Sequence, residues 1–180
     1  MKKFEIKFKG ETKTYEVPTN WGEITVGKFV DVYRLDKNTV EGTSQLNKLI
    51  DMFSILLGMD GEVIKAMDLQ TFGLLKDTIS FLYDSSDLAK ITTSEQIKVG
   101  DKTLYVNTKF DNLTVEDMIN IEGITKNNED LVDAMVPLLS YLIKEKDSNG
   151  DLVTSSIDMS QLRIIDVYSL ITVFSNGVPN

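Results

Sequence analysis

Apolar and polar residues alternate in two short segments, one near the N-terminus and one near the middle of the chain. The first, "FEIKFKGETKTYEV", is centred on Gly10, and the second, "QIKVGDKTLYVN", is centred on Gly100. Alternation with period two is typical of half-buried strands, and a glycine between two such runs predicts a tight hairpin with Gly at the first turn position. Tyr15 and Tyr105 each follow their glycine by five residues. The sequence therefore predicts two equivalent β-hairpins.

After each hairpin the apolar residues take the spacing of helices. The stretch "WGEITVGKF", beginning at Trp21, resembles "FDNLTVEDM", beginning at Phe110, at an offset of 89 residues. Thr114 and Asp117 have the spacing of a capping box, which predicts a helix start there. Lys28 replaces the acid in the first copy, so we expect a weaker cap. Trp21 is expected to pack as a hydrophobic staple on the first helical turn.

Two further pairs of segments follow in the same order. The run "LIDMFSILLG" from Leu49 resembles "LVDAMVPLLS" from Leu131, and both are apolar at helical spacing. The final helical runs begin after Asp68 and Asp158, which lie 90 residues apart and are predicted N-caps. The connectors differ between copies. We expect a long loop at "DKNTVEGTSQ" and a short one at "GMDGEVIKAM" in the first copy, and a short loop at "TKNNED" and a long one at "KEKDSNGDLVTSS" in the second.

These matches predict a mostly helical α+β fold, built as a tandem duplication of a β-hairpin followed by three to four helices. Residues 1–85 would form the first repeat and residues 94–180 the second, with a polar, turn-rich linker at 86–93. The two repeats could also pack as one pseudo-twofold domain. An isolated hairpin is marginal in water, so each must pair with the other or cover its own helices, and a leftover edge could accept a strand from a neighbour.

Composition narrows the class of partner. The chain has 19 Lys and Arg against 28 Asp and Glu, which gives a formal charge of −9 and a pI of about 4.6. Such a chain repels phosphate backbones, so we predict no specific nucleic-acid binding. The N-terminal segment has no apolar stretch typical of a secretory signal, and the longest apolar runs are too short for membrane insertion.

No catalytic, cofactor-binding or metal-ligating residue is assigned from the sequence. The chain has no Cys and no His, which excludes thiolate nucleophiles, triads with a His base and disulfides. Acidic residues are interpreted as helix caps or solvated faces. The stretch "DSNGD" at 147–151 has Gly in the wrong place for a calcium loop, so a turn is expected. Core packing is expected for the aromatic residues and for the methionines within helical runs, namely Trp21, Phe29, Tyr33, Phe53, Phe72, Phe81, Tyr83, Met52, Met67, Met118, Met135 and Met159.

The ordered phrases "W-x-E-I-T-V-x-x-F", "L-I-D-M-F-S-I-L-L-G" and "M-D-L-Q-T-F-G-L-L" resemble small proteins of tailed phages, especially crAss-like and related phages of gut bacteria. The resemblance covers most of each repeat, although the second copy lacks the Trp. It implies a virion structural or cargo protein, or an assembly protein, made in the bacterial host cytoplasm and located in the virion. The family supplies no catalytic residue and no cofactor.

Three functions stay open at this point. The first is a non-enzymatic virion protein, tail-associated or carried as cargo, which contacts other phage structural proteins; a homo-oligomer is also left open. The second is a tail assembly chaperone that binds a tail protein transiently through apolar helices. The third, least favoured, is an enzyme that uses carboxylates alone.

Overall fold

The computed structural model describes residues 1–40, 42–107, 113–128 and 130–175. The strands and helices follow in the order β1 (Lys2–Phe8), β2 (Glu11–Val17), α1 (Val26–Asn38), α2 (Gln45–Leu57), α3 (Gly61–Lys65), α4 (Leu69–Thr78), β3 (Gln96–Val99), β4 (Lys102–Val106), α5 (Val115–Asn127), α6 (Leu131–Leu142), β5 (Ile143–Lys146), β6 (Leu152–Thr154) and α7 (Ile164–Ser175). Strands β1 and β2 form one antiparallel sheet, and β3, β4, β5 and β6 form another in that order. The predicted mostly helical α+β class is confirmed.

The chain divides into two compact units. The first consists of Met1–Ile24 and Lys28–Ser86, and the second of Thr25–Gly27 and Asp87–Asn180. The segment expected as a linker, 86–93, contains the buried residue Leu88. The backbone amide of Thr93, at the end of this segment, donates a hydrogen bond of 2.8 Å to the hydroxyl of Ser169.

The first unit packs its hairpin and four helices around an apolar core. Its fully buried side chains include Val17, Phe53, Leu56, Leu75 and Ile79. The ring of Phe53 meets that of Phe72 edge to face, with 5.3 Å between the centroids. This contact joins α2 to α4.

Trp21 packs on the first turns of α1, as the staple predicts. Its ring lies 6.0 Å from that of Phe29 and 5.4 Å from that of Phe81, both edge to face. The indole Nε1–H donates to the carbonyl oxygen of Asp84 at 3.1 Å. The polar end of this nearly buried side chain is therefore hydrogen-bonded, as burial of an indole requires.

The second unit buries one face of its four-stranded sheet. Ile97 pairs with Leu104, and Val106 with Ile143, and all four side chains are buried. Helix α6 adds the buried residues of its apolar face, which are Ala134, Met135, Leu138, Leu139 and Leu142. Alternation along β3 and β4 thus separates a core face from a more polar one.

The long loop expected at "KEKDSNGDLVTSS" is wrong, because most of this stretch forms the β5–β6 hairpin. Helix α6 leads directly into β5, and Lys146 pairs with Leu152. The short loop expected at "GMDGEVIKAM" is interrupted by α3, and the turn or helix start expected at "MDGEV" is a helix start, with Asp60 as the N-cap of α3.

The turn predicted at "DSNGD" is confirmed. The amide of Asp147 donates to the carbonyl oxygen of Asp151 at 2.9 Å, which closes the loop. The Asp147 carboxylate in turn accepts hydrogen bonds from the amides of Asn149 and Asp151. Gly150 has a φ of 88°, in the region that favours glycine. The acidic side chain at the start of this stretch therefore stabilises its own turn.

The glycine occupies a different position in each of the two hairpin turns. In the β1–β2 turn, Lys9 and Gly10 both have positive φ, 50° and 84°. This is a type I′ turn with Gly at its second position, so the first-position assignment of Gly10 is wrong. In the β3–β4 turn Gly100, with φ 58°, occupies the first position as predicted.

This difference separates the two tyrosines that lie five residues after their glycines. Tyr15 lies opposite the buried Phe4, on the core face of its hairpin. Tyr105 lies opposite the exposed Gln96, on the face away from the buried Leu104. A shift of one residue in a strand moves every side chain to the other face. The hairpins are therefore not equivalent residue by residue, and the tandem duplication stays a prediction. The matched residue Phe110 lies outside the described residues.

Both predicted aspartate caps accept backbone hydrogen bonds. Asp68 accepts one from the amide of Thr71 at the start of α4, as predicted. Asp158 accepts one from the amide of Ser160, but it caps the short 3₁₀ turn Met159–Gln161 and not the helix itself.

A second local similarity lies between Asn20–Val26 and Asp158–Ile164. In each segment a capping side chain precedes a 3₁₀ turn, two further residues follow, and a helix begins. Thr25 and Arg163, at corresponding positions, form an antiparallel bridge, and the amide of Val26 donates to the carbonyl of Leu162 at 2.8 Å.

The core assignment of aromatic residues and methionines is wrong at three positions. Tyr33, Tyr83 and Met118 are exposed. The residues that are buried as expected include Trp21, Phe53, Met52, Met135 and Met159.

Candidate functional site

Helix α5 begins at a complete capping box. The amide of Asp117 donates to the hydroxyl of Thr114 at 3.0 Å, and the amide of Thr114 donates to the Asp117 carboxylate at 3.0 Å. The Lys144 ammonium group lies 3.6 Å from the same carboxylate. The Thr114 amide holds the pKa of the Asp117 carboxyl below its ordinary value, and the charge of Lys144 lowers it further. The box and the ion pair thus fix the start of α5 against β5.

Three apolar side chains are exposed on the first turns of this helix. Val115, Met118 and Ile119 are 78%, 43% and 64% exposed. Residues three and four apart lie on one side of a helix, so the three form a single stripe. We call Val115, Met118 and Ile119 the α5 apolar face.

Acidic residues border the α5 apolar face. Glu116 is exposed beside Val115. One turn beyond Ile119, Glu122 bonds to Lys126, which lowers the pKa of the Glu122 carboxyl. The face is therefore a small apolar patch with a charged border.

Other exposed large apolar residues in the described chain are more scattered. They are Met1, Tyr33, Val40, Leu46, Leu69, Leu74, Tyr83, Leu152 and Val153. Single exposed apolar side chains are normal on soluble proteins. The α5 apolar face differs because its members are successive neighbours on one helix.

The carboxylates with a displaced pKa are all held in the charged form. The groups with a lowered pKa are Glu23, Asp68, Asp117, Glu122, Glu145 and Asp158. The cause in each case is a hydrogen bond from a nearby backbone or side-chain donor or from the N-terminal ammonium group. A general acid needs the opposite shift of its pKa. These residues therefore act as caps and ion-pair partners.

No catalytic, cofactor or metal residue was predicted, and the described chain adds no candidate for a metal site. Within the described ranges, no three Asp or Glu side chains are grouped so that they could hold a metal ion. The stretch at 147–151, which was compared with a calcium loop, is the β5–β6 turn.

The α5 apolar face was missed in the sequence because Met118 was assigned to the core. A signal was present: Val115, Met118 and Ile119 share one stripe, and the next positions on it are Glu122 and Lys126. A core-facing stripe would continue with apolar residues over the whole helix.

Searches against protein-family models, curated proteins and solved structures each return no match. Among the described residues, none of the helices has the length and apolar character needed to span a bilayer.

Proposed function

We propose that this chain is a non-enzymatic component of a tailed-phage particle, located in the tail or carried as cargo, and that it binds other structural proteins of the particle. The α5 apolar face is the observation that carries the proposal. The sequence resemblance supplies the phage setting, and the exposed face supplies a means of binding.

The α5 apolar face suits docking of a helix into a groove. In this mode, apolar residues at spacings of three and four enter a hydrophobic groove on the partner. Burial of an exposed Val, Ile or Met side chain contributes about 1.5–3 kcal/mol, so Val115 and Ile119, the two most exposed members, would supply most of the affinity. The capping box at Thr114 gives the helix its bound shape before the partner arrives, which lowers the entropic cost of binding.

The acidic residues near the α5 apolar face indicate which residues the partner should carry. Glu116 is exposed beside the apolar stripe, whereas Glu122 is paired with Lys126, so the partner groove should have an apolar floor and a Lys or Arg that faces Glu116. The net charge of −9 opposes binding to DNA, which suits a component of a compartment through which DNA passes.

Mass spectrometry of purified phage particles tests the proposal. The chain should be present in wild-type particles and reduced several-fold with Ile119→Ser, which removes an apolar side chain that is 64% exposed beside Met118. Leu69→Ser is the matched control, because Leu69 is 88% exposed on α4 and lies outside the α5 apolar face. Absence of the chain from wild-type particles, or equal loss with both variants, would contradict the proposal.

The second candidate function is a tail assembly chaperone. The small size of the α5 apolar face and the adaptable side chain of Met118 within it favour a weak, reversible contact with a client. The discriminating result is a soluble complex with a tail protein in infected cells and no copy in mature particles. Ile119→Ser should then abolish the soluble complex.

A further inference from the structure

We propose that the outer edge of strand β1 pairs with the same edge of a second copy of this chain, in an antiparallel register that places Ile6 opposite Ile6. The product is a continuous four-stranded sheet in the order β2-β1-β1-β2. This inference stands on the N-terminal hairpin alone and does not depend on the proposed function.

The turn geometry determines which backbone groups face outward. Phe8 and Glu11 flank the two-residue turn, so they exchange hydrogen bonds with each other, and every second residue of β1 does the same with β2. The remaining residues, Lys3, Glu5 and Lys7, direct their N–H and C=O groups to the free edge. Among the described residues, no third strand pairs with this hairpin.

The charged residues on this edge favour pairing with a second copy of β1. Lysines usually protect an edge strand from pairing, because they repel an equivalent strand. In the register centred on Ile6, however, Glu5 of each copy lies opposite Lys7 of the other. Registers centred on Glu5 or on Lys7 instead place like charges opposite each other. The edge is therefore complementary to itself at Glu5 and Lys7.

The apolar side chains of β1 favour the same register. Phe4 of one copy lies opposite Phe8 of the other, and the two Ile6 side chains meet at the centre. A register centred on Phe4 also pairs Lys3 with Glu5, but it places Lys2 opposite Ile6 and leaves Phe8 without a partner. Within strand β1 the register centred on Ile6 thus combines opposite charges, Glu5 with Lys7, on one face with apolar pairs on the other, while Lys3 comes level with Lys9 in the turn of the other copy.

Strand β1 is a better candidate for this contact than β2. Strand β2 packs against α2. Its outward residues are Thr12, Thr14 and Glu16, and in a symmetric antiparallel pairing they offer no pair of opposite charges. Of the two strands, β1 alone carries both signs of charge at its outward positions.

Exchange of these charges should leave the hairpin itself intact. Glu5 lies opposite Thr14 and Lys7 opposite Thr12, so neither faces a charged residue within its own hairpin. Because the apolar side chains of β1 are already largely buried in one copy, the dimer gains mainly main-chain hydrogen bonds and the two symmetric ion pairs between Glu5 and Lys7. We therefore expect weak association that decreases as salt is added.

Sedimentation equilibrium of the full chain at low ionic strength, over a series of concentrations, tests the pairing. Wild-type protein should dimerise, whereas Glu5→Lys and Lys7→Glu should each be monomeric. An equimolar mixture of these two variants should form a heterodimer, because one variant then presents two positive charges and the other presents two negative charges at the paired positions. The double variant E5K/K7E should form a homodimer again.

Two control variants reverse a charge on β2 in the same way as the test variants do on β1. Glu11→Lys and Lys13→Glu lie on β2 and should retain the dimer. A monomeric wild-type protein at every concentration overturns the proposal. So does a dimer that survives both single exchanges on β1, or two monomeric variants that fail to associate when mixed. Survival with Lys7→Glu but not with Glu5→Lys would show the register centred on Phe4 and would equally overturn the one proposed.

Discussion

The substitution of glycine by alanine should change the free energy of unfolding in opposite directions at two positions of the first unit. Gly10 lies in the β1–β2 turn with φ 84°, and Gly73 lies inside helix α4. A methyl group at either position would meet no atom within 4 Å. Steric clashes are therefore absent in both cases, and the difference between the variants reports backbone conformation alone.

The expected magnitudes follow from the backbone angles. An L-residue in the left-handed region costs about 1–2 kcal/mol, so Gly10→Ala should lower the free energy of unfolding by about 1 kcal/mol or slightly more. Gly inside a helix is about 0.5–1 kcal/mol worse than Ala, so Gly73→Ala should raise it by that amount. The two variants should differ from each other by about 2 kcal/mol.

Urea unfolding followed by circular dichroism measures both effects. In a chain of this size, 1 kcal/mol corresponds to roughly 2–4 °C in melting temperature, which thermal scans also resolve. Gly10→Asn should be less destabilising than Gly10→Ala, because Asn tolerates the left-handed region better. Destabilisation by both alanine variants, or by neither, would refute the type I′ turn at Lys9 and Gly10 or the helical conformation of Gly73.

Two further predictions concern the start of α5. Thr114→Ala should cost about 1 kcal/mol in unfolding free energy through loss of the N-cap, whereas Thr125→Ala, inside the same helix, should be neutral or slightly stabilising; urea unfolding compares them, and equal losses would contradict the capping role. Because the folded pKa of Asp117 is depressed, its stabilising contribution is present above the unfolded value of about 3.9 and is lost as pH falls through the folded pKa. Asp117→Asn should therefore destabilise the protein at neutral pH and approach the stability of wild type in strong acid, and a difference that does not depend on pH would argue against this role.

The starts of α4 and α5 were predictable from sequence because their chemistry is local. Thr114 and Asp117 need only their own backbone to form the capping box, and Asp68 needs only the amide of Thr71. The helical run that contains Pro137 was also predicted, since its apolar spacing is strong and α6 persists through that residue. Such features depend on a few neighbouring residues and not on packing.

Features that depend on register or packing were not predictable from the pattern. Gly10 could occupy either central position of its turn, and only the pairing of Phe8 with Glu11 places it second. The exposure of Met118 depends on whether another element covers that side of α5. The β5 and β6 strands are four and three residues long, too short for alternation to distinguish them from a loop.

The element that recurs in this chain is a short segment of a cap, a 3₁₀ turn and a helix start, which is much smaller than half of the protein. Asn20 and Asp158 cap equivalent 3₁₀ turns, and Ile24 and Leu162 are each 1% exposed before a helix begins. These segments lie 138 residues apart, whereas the hairpins and caps suggested offsets near 90. A short cap, turn and helix start can recur because each step is fixed by local hydrogen bonds.

A shift of the turn by one residue moves the side chains of the following strand to the other face of the hairpin. Tyr15 and Tyr105, each five residues after its glycine, lie on different faces for this reason. Every side chain of the strand after the turn then moves from the core to the surface or back. If two copies of an ancestral unit gave rise to this chain, one hairpin must therefore have changed register after the duplication. The core beneath that hairpin must have been repacked at the same time, because its buried positions would otherwise have received polar side chains.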